Sequence, residues 1–308
     1  MKNGTIKADG LLLLTATIWG FAFVAQRVGM DYVGPFTFNA IRFALGSLSL
    51  LPLILLLQKR QSSTVYHQRS DTHKSVLFGG ILAGGALFAG ASLQQAGLVY
   101  TTAGKAGFIT GLYVVIVPLL GLFWRQRPRI GTWLGAILAA IGLYFLSITK
   151  EFNISFGDLL VLIGAFFWAG HVLLIGWLAP RTDSLKLAAT QFAICSLLSF
   201  LTALAIETMS IASIWQAAVP ILYGGIGSVG IAYTLQVIAQ RDAHPAHSAI
   251  ILSLEGLFAA IGGWVLLGEV LSLRALFGCA MMLAGMVLSE LSGFFGKQKP
   301  EMPIKPTK

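Results

Sequence analysis

Long apolar runs, separated by short polar loops, recur from one end of this chain to the other. A helix crosses a hydrocarbon core of about 30 Å with roughly 20 apolar residues. Runs of that kind occupy residues 9–29, 35–58, 75–98, 103–123, 131–149, 156–178, 185–206, 217–239, 246–267 and 272–295. The expectation is an all-α polytopic membrane protein with ten transmembrane helices. Of the 308 residues, 56% are hydrophobic and 11% charged, with a mean hydropathy of +0.80. A soluble domain carries about 25% charged residues. That shortage of polar surface excludes a soluble enzyme, a disordered protein and a disulfide scaffold. The first run continues through Trp19, Phe21 and Phe23 with no clear small-residue cleavage site. It therefore reads as a retained span rather than a signal peptide.

The net charge of +9 invites a nucleic-acid reading, but the placement of the charges does not. With the amino terminus inside, the inner segments hold sixteen of the 21 Lys and Arg. These are Lys2 and Lys7; Lys59, Arg60, Arg69 and Lys74; Arg125, Arg127 and Arg129; Arg181 and Lys186; Arg241; and Lys297, Lys299, Lys305 and Lys308. The outer loops hold Lys150 and Arg274, while Arg27, Arg42 and Lys105 fall within or at the edge of spans. The positive-inside rule then places both termini in the cytoplasm of a multi-pass cell-membrane protein. An odd number of spans would spoil the alternation. Residues 297–308 read as a disordered basic cytoplasmic tail. Cys195 and Cys279 lie inside apolar runs and read as small buried hydrophobes, not as a disulfide or metal pair.

The chain also repeats itself. Trp19 aligns with Trp168, and Arg42-Phe43-Ala44 aligns with Gln191-Phe192-Ala193 at the same offset. Leu77-Phe78-Gly79-Gly80-Ile81 matches Leu222-Tyr223-Gly224-Gly225-Ile226, and Leu93-Gln94 matches Leu235-Gln236. Gly135 and Gly142 match Gly278 and Gly285, in preserved order. The expected units are residues 1–150 and 151–296, each with five spans. Five is odd, so the second copy enters the membrane upside down. Inverted repeats of this kind build secondary transporters, whose substrate site lies near the midplane between the halves.

These segments resemble a known family. Leu254-Glu255, Leu267-Gly268-Glu269 and the glycines Gly278 and Gly285 look like the second repeat of the EamA family, within the drug/metabolite transporter superfamily. Thr17-Ile18-Trp19-Gly20 and Arg42 resemble the start of its first repeat. The resemblance covers nearly the whole chain. It implies a ten-helix, inverted-repeat carrier of small metabolites with both termini cytoplasmic, and leans toward export (efflux). Gly256 departs from the proline that often follows the Leu-Glu pair in the family, which implies a less kinked ninth span here.

Charged groups inside a bilayer cost about 2.5–3.5 kcal/mol on insertion scales and are functional candidates by default. Glu255, near the middle of the ninth span, reads as a proton-coupling carboxyl, a partner for a cationic group of the substrate, or a packing residue. Arg42, in the second span, can hold a carboxylate through its planar fork, cap a helix end or pair within the bundle. Its repeat mate Gln191 is neutral. Lys105, near the outer edge of the fourth span, can meet substrate or reach the interface. Gln94, Gln95 and Gln236 can line a polar cavity or tie helices together. His171 reads as a proton carrier or an interhelical hydrogen bond. Trp19, Trp168, Tyr113 and Tyr233 are candidate cavity aromatics. Gly80 and Gly84, Gly107 and Gly111, and Gly225 and Gly230 are expected where helices cross closely.

Taken together, the sequence reads as a secondary transporter of a small metabolite, with amino-acid-like solutes suiting its polar groups and protons as a candidate coupling ion. No phosphate loop or long soluble domain is present to drive transport with ATP, and no cofactor, metal or nucleic acid is expected. The expected partners are a small solute and the bilayer, around a monomer or homodimer. The alternatives are an uptake carrier of the same fold and an intramembrane enzyme. Against the enzyme, His171 has no partner at ligand spacing, and His244 and His247 have only Asp242 nearby in sequence.

Overall fold

The computed structural model describes residues 2–61, 73–124, 130–147, 154–240 and 251–295, together with Ser248. It is built of helices, with no strand among those residues. Three long helices come first, α1 (Lys2–Gly29), α2 (Pro35–Gln61) and α3 (His73–Leu98). The short α4 (Ala103–Gly111) and α5 (Tyr113–Leu120) follow, then a 3-10 turn at Gly121–Trp124 and α6 (Ile130–Ser147). α7 (Phe156–Leu178) and α8 (Ser184–Ile206) are again long. Next come α9 (Ile211–Gln216), α10 (Ala218–Leu222), a π-helical stretch (Tyr223–Tyr233) and α11 (Thr234–Ala239). α12 (Glu255–Leu267) and α13 (Leu273–Phe295) end the order.

Among the described residues, seven stretches are long and apolar enough to cross a bilayer: Lys7–Gly29, Pro35–Leu57, Val76–Leu98, Ala103–Leu120, Phe156–Leu178, Ser184–Ile206 and Ala218–Ala239. The other three expected spans fall on shorter apolar helices, Trp133–Leu146, Ile251–Leu267 and Leu273–Leu288. The tail at 297–308 and the segments holding Arg69, Arg125, Arg127, Arg129, Arg241, Asp242, His244 and His247 lie outside the described residues.

Two spans are not regular helices. The fourth breaks at Leu112, whose N–H turns tightly back to the Ile109 carbonyl at 3.2 Å. Gly111 on one side of the break is a weak helix former, and Pro118 on the other withholds a backbone donor. The 218–239 span widens into eleven residues of π-helix, with Gly224, Gly225, Gly227 and Gly230 inside it. Such wide turns are rare and recur at functional sites. Here α1 presents side-chain donors to their carbonyls. Trp19 Nε1 donates to Ser228 O, and Thr15 Oγ1 to Ala232 O, each at 3.3 Å.

Neighbouring helices pack in a regular pattern. α2 lies on α8, α4 on α12, and α6 on α13. α3 lies on α7 and α8, while the 218–239 span lies on α1 and α2. α1 also lies on α12, and α7 on α4 and α5. Small residues let these backbones approach. Gly80 faces Thr190, and Gly84 faces Ile194, where α3 meets α8. Gly107 faces Ala259 and Gly256, Gly111 faces the Ser253 carbonyl, Gly225 faces Leu45, and Gly230 faces Ser49. Gly142 lies against the Gly278 carbonyl, and Gly285 against the Gly135 carbonyl. Large apolar side chains such as Phe78, Leu56, Ile137 and Trp264 are exposed around the outside, which suits a lipid surround.

A side chain at Gly84 has nowhere to go, since its Cβ would lie 2.7 Å from that of Ile194. Nothing lies within 4 Å of a Cβ at the adjacent Gly85. Leu at Gly84 is expected to destabilise the protein by about 1–3 kcal/mol, as overpacking does, and Leu at Gly85 to be tolerated. Thermal unfolding of the two purified variants in one detergent checks the difference. Leu at Gly230, against Ser49, is expected to behave like Leu at Gly84.

Candidate functional site

The polar residues inside this apolar bundle converge. A cavity with about 440 Å³ of atom-free space, its opening included, is lined from α1, α2, α3, α4, α5, α7, the π-helical stretch, α11 and α12. Nine of the twelve residues singled out as substrate or coupling candidates line it: Trp19, Arg42, Gln94, Tyr113, Trp168, His171, Tyr233, Gln236 and Glu255. Gln95, Lys105 and Gln191 do not belong to its lining.

Aromatic rings form its middle, with Tyr233 at their hub. The Tyr233 ring lies 4.4 Å from Trp19, 6.1 Å from Trp168, 5.8 Å from Phe192 and 6.2 Å from Phe43, centroid to centroid. Trp168 stacks on it, and the others are tilted or edge-on, as ring quadrupoles favour. The repeat mates Trp19 and Trp168 thus flank one tyrosine. Their indole donors go to different places. Trp168 Nε1 donates to Gln94 Oε1 at 2.8 Å, whereas Trp19 Nε1 donates to the Ser228 carbonyl.

Gln94 heads a polar chain. Its Nε2 donates to Gln26 Oε1 at 3.2 Å, Thr110 Oγ1 donates to its Oε1 at 3.4 Å, and Gln95 Nε2 donates to the Gln26 carbonyl at 3.2 Å. Gln26 and Thr110 line the cavity but were not singled out from the sequence. An uncharged polar residue in an apolar run, the signal that marked Gln94, was available for Gln26. His171 meets Gln191 at 2.9 Å across α7 and α8, so one ring nitrogen is engaged in an interhelical hydrogen bond.

Among the described residues, Arg42 and Glu255 are the two charged ones in the lining, and they are 2% and 3% exposed. Arg42 Nε donates to Asn39 Oδ1 at 2.9 Å, and its guanidinium carbon sits 4.8 Å from the Phe43 ring centroid. Among the described residues no carboxylate pairs with it, and its Nη2 has no hydrogen-bond partner. Glu255 likewise has no ion-pair partner among the described residues. The Tyr113 hydroxyl lies beside its carboxyl without reaching hydrogen-bond geometry. Gln236 Oε1 is a further buried acceptor without a partner. The cavity therefore presents a cation, a carboxyl and orphaned polar atoms among aromatic walls. Such an arrangement can bind a small solute with charged or polar ends. No group of three or more potential metal ligands occurs among the described residues.

Lys105 is placed differently from the expectation of a substrate contact. Its Nζ lies 2.8 Å from Asp158 Oδ2, and the same carboxylate accepts a short hydrogen bond from Thr101 Oγ1. Asp158, Glu207 and Glu269 are not among the site candidates read from the sequence, where Glu269 figures only in the Leu267-Gly268-Glu269 resemblance.

Comparison with known proteins gives these features a family. The model of the EamA-like transporter family matches the chain twice, at residues 6–148 and 155–291. An uncharacterized transporter of Archaeoglobus fulgidus is 31% identical over 286 residues, covering 92% of this chain and 86% of its own. The uncharacterized transporter YoaV of Bacillus subtilis is 22% identical, covering 94% and 98%. A solved crystal structure shares the fold at a TM-score of 0.66 with 21% identity, covering 92% of this chain and 96% of its own. The chain is a multi-pass membrane protein and belongs to the EamA-like transporter family.

Proposed function

We propose that the protein is a secondary active transporter that moves a small zwitterionic, amino-acid-like metabolite, in the export direction, by alternating access. The observation that carries this reading is the cavity between the two matched copies, with Arg42 from one and Glu255 from the other in its lining and neither paired among the described residues. The Arg42 fork suits a solute carboxylate, and Glu255 suits an ammonium group or a coupling proton. The aromatic rings around Tyr233 suit the solute's apolar part.

The architecture we propose is ten crossings in two inverted five-helix repeats, residues 1–150 and 151–296, in the cell membrane with both termini cytoplasmic. Several contacts support a two-fold relation between the copies. Ser47 Oγ donates to Ala189 O at 2.9 Å, and Ser196 Oγ donates to Ala40 O at 2.8 Å. These are one contact seen twice, since the repeat offset carries Ala40 onto Ala189 and Ser47 onto Ser196. Phe43 meets its own mate Phe192 at 6.3 Å. Gly142 on Gly278 and Gly135 on Gly285 are likewise exchanged by the repeat matching. The residue numbers along this last contact run in opposite senses, so α6 and α13 are antiparallel. An axis relating them lies across the helices, in the membrane plane. Reciprocal contacts of this type define an isologous interface. The largest helix-on-helix pairs answer one another under the same exchange: α3 on α7 answers the 218–239 span on α1, and α1 on α12 answers α7 on α4.

Proteoliposomes test the activity. Gradient-driven, saturable counterflow of labelled neutral amino acids is expected, and turnover without compartments would instead make the protein an enzyme. Arg42→Ala is expected to lower flux by about a hundredfold, since charge-assisted bonds contribute about 1.5–3 kcal/mol. Arg42→Lys keeps the charge without the fork and is expected to recover flux in part. Glu255→Gln separates its two roles: loss of the pH dependence of flux assigns it to proton coupling, and an unchanged profile removes it from that role. Tags at the two ends are expected to be shielded from impermeant reagents in intact cells, and reaction of either one overturns the proposed topology.

A further inference from the structure

At one end of the bundle the two copies are joined by carboxylates. Glu207 follows α8 in the second copy and caps the start of α2 in the first. Its oxygens accept from Phe36 N at 2.9 Å, Thr37 N at 2.8 Å and Thr37 Oγ1 at 2.7 Å. Glu269 follows α12 and caps the start of α4 in the same manner, accepting from Ala103 N at 2.8 Å and Gly104 N at 3.1 Å. Asp158, at the start of α7, holds Lys105 and Thr101 beside them. All three acids belong to the second matched copy, and every group they hold belongs to the first.

These contacts are built in. Each glutamate seats against a glycine that leaves room for it, Glu207 on Gly34 and Glu269 on Gly263. Gly268 adopts a left-handed φ of 64°, which a glycine takes without strain. That turn sends the Glu269 N–H back to the Gly263 carbonyl at 3.0 Å and carries its side chain over α4. Helix N-termini carry unpaired donors and a positive dipole end, so a carboxylate is the group that suits them. The two latched helices also reach the cavity, through Arg42 on α2 and Thr110 on α4.

The equivalent positions at the other end differ in charge. In the proposed exchange of copies, Glu207 and Glu269 correspond to the chain after α2 and after α5. There the sequence reads Lys59-Arg60-Gln61-Ser62-Ser63 and Arg125-Gln126-Arg127-Pro128-Arg129, without a carboxylate. Cations do not accept from helix N-termini.

We infer that Glu207, Glu269 and Asp158 form a one-sided latch that holds the passage closed at the acidic end, so that the carrier rests with its opposite, basic end the easier to open. The inference rests on the alternating-access reading above. By the positive-inside rule the latched end faces outward, which makes the resting carrier one that loads from the cytoplasm.

Spin-label distances test it without a substrate. The native Cys195 and Cys279 are buried, so label goes to introduced cysteines at exposed sites. Tyr100 and Val270 report across the acidic end, and Leu57 and Arg181 report across the basic end. With Glu207 and Glu269 intact, one short distance is expected at Tyr100–Val270. Glu207→Ala with Glu269→Ala is expected to raise the longer-distance population there by about tenfold for each latch removed, and to shorten Leu57–Arg181. An unchanged distribution in a variant that still unfolds cooperatively overturns the latch. Should the alanine variant fail to fold, Glu207→Gln with Glu269→Gln keeps size and one acceptor but not charge, and the same two results decide. The distances respond to the latch whether or not flux is found. Absent flux with the expected distance changes condemns the transport reading instead.

Discussion

Two apolar helices in lipid gain little by leaving it for one another, so something other than apolar burial has to hold the copies of this protein together. The structure uses close backbone approach and a few hydrogen bonds. At Gly142, Gly278 and Gly285, α6 and α13 come near enough that any side chain would collide with a carbonyl of the other helix. Close approach recovers dispersion contacts that larger side chains would keep apart. The Ser47 and Ser196 hydroxyls then bond carbonyls of the opposite copy from within α2 and α8. A seam built from small residues is also one that can shift, because no large side chain has to leave one socket for another.

The seam is shared evenly between the copies, and the cavity is not. Phe43 and Phe192 meet as mates, but the residues beside them, Arg42 and Gln191, differ by a full charge. Trp168 reaches Gln94, while its mate Trp19 reaches a carbonyl of the π-helical stretch and leaves Gln236, the mate of Gln94, with an unpartnered oxygen. A duplicated scaffold needs only its packing positions to stay equivalent. Residues that meet solute are released from that demand, and the wide π-helical turn shows the backbone itself diverging at the same place.

The hydropathy of the sequence made the helices legible, because a bilayer leaves no other way to satisfy the backbone. It also picked out most of the cavity lining, since a polar residue in an apolar run has few other uses. What it did not reveal depends on contacts distant in sequence. The break at Leu112 comes from local backbone bonding inside a run that is apolar on both sides. Lys105 looked like an interfacial or substrate lysine because Asp158, its partner, lies 53 residues away in the chain. Glu207 and Glu269 sit where acids are ordinary, at the ends of spans. Only the coordinates show that they face helix starts rather than water.

The isolation of Arg42 from Glu255 has an energetic meaning. A buried charge costs several kcal/mol unless it is paired and hydrogen-bonded, and a direct ion pair across the cavity would remove that cost from the empty protein. It would also compete with any solute carrying the same two charges, which would have to break the pair before binding. Beside the guanidinium, Asn39 Oδ1 accepts one hydrogen bond, and Phe43 and Phe38 offer the weaker attraction of ring faces, at 4.8 and 5.6 Å. The Tyr113 hydroxyl lies beside the carboxyl. Under the proposed function, part of the cost of burying Arg42 unpaired is recovered when a solute carboxylate meets it. On this argument the unpaired guanidinium favours the solute proposed above, with its carboxylate, over a simple amine, which would leave Arg42 buried alone.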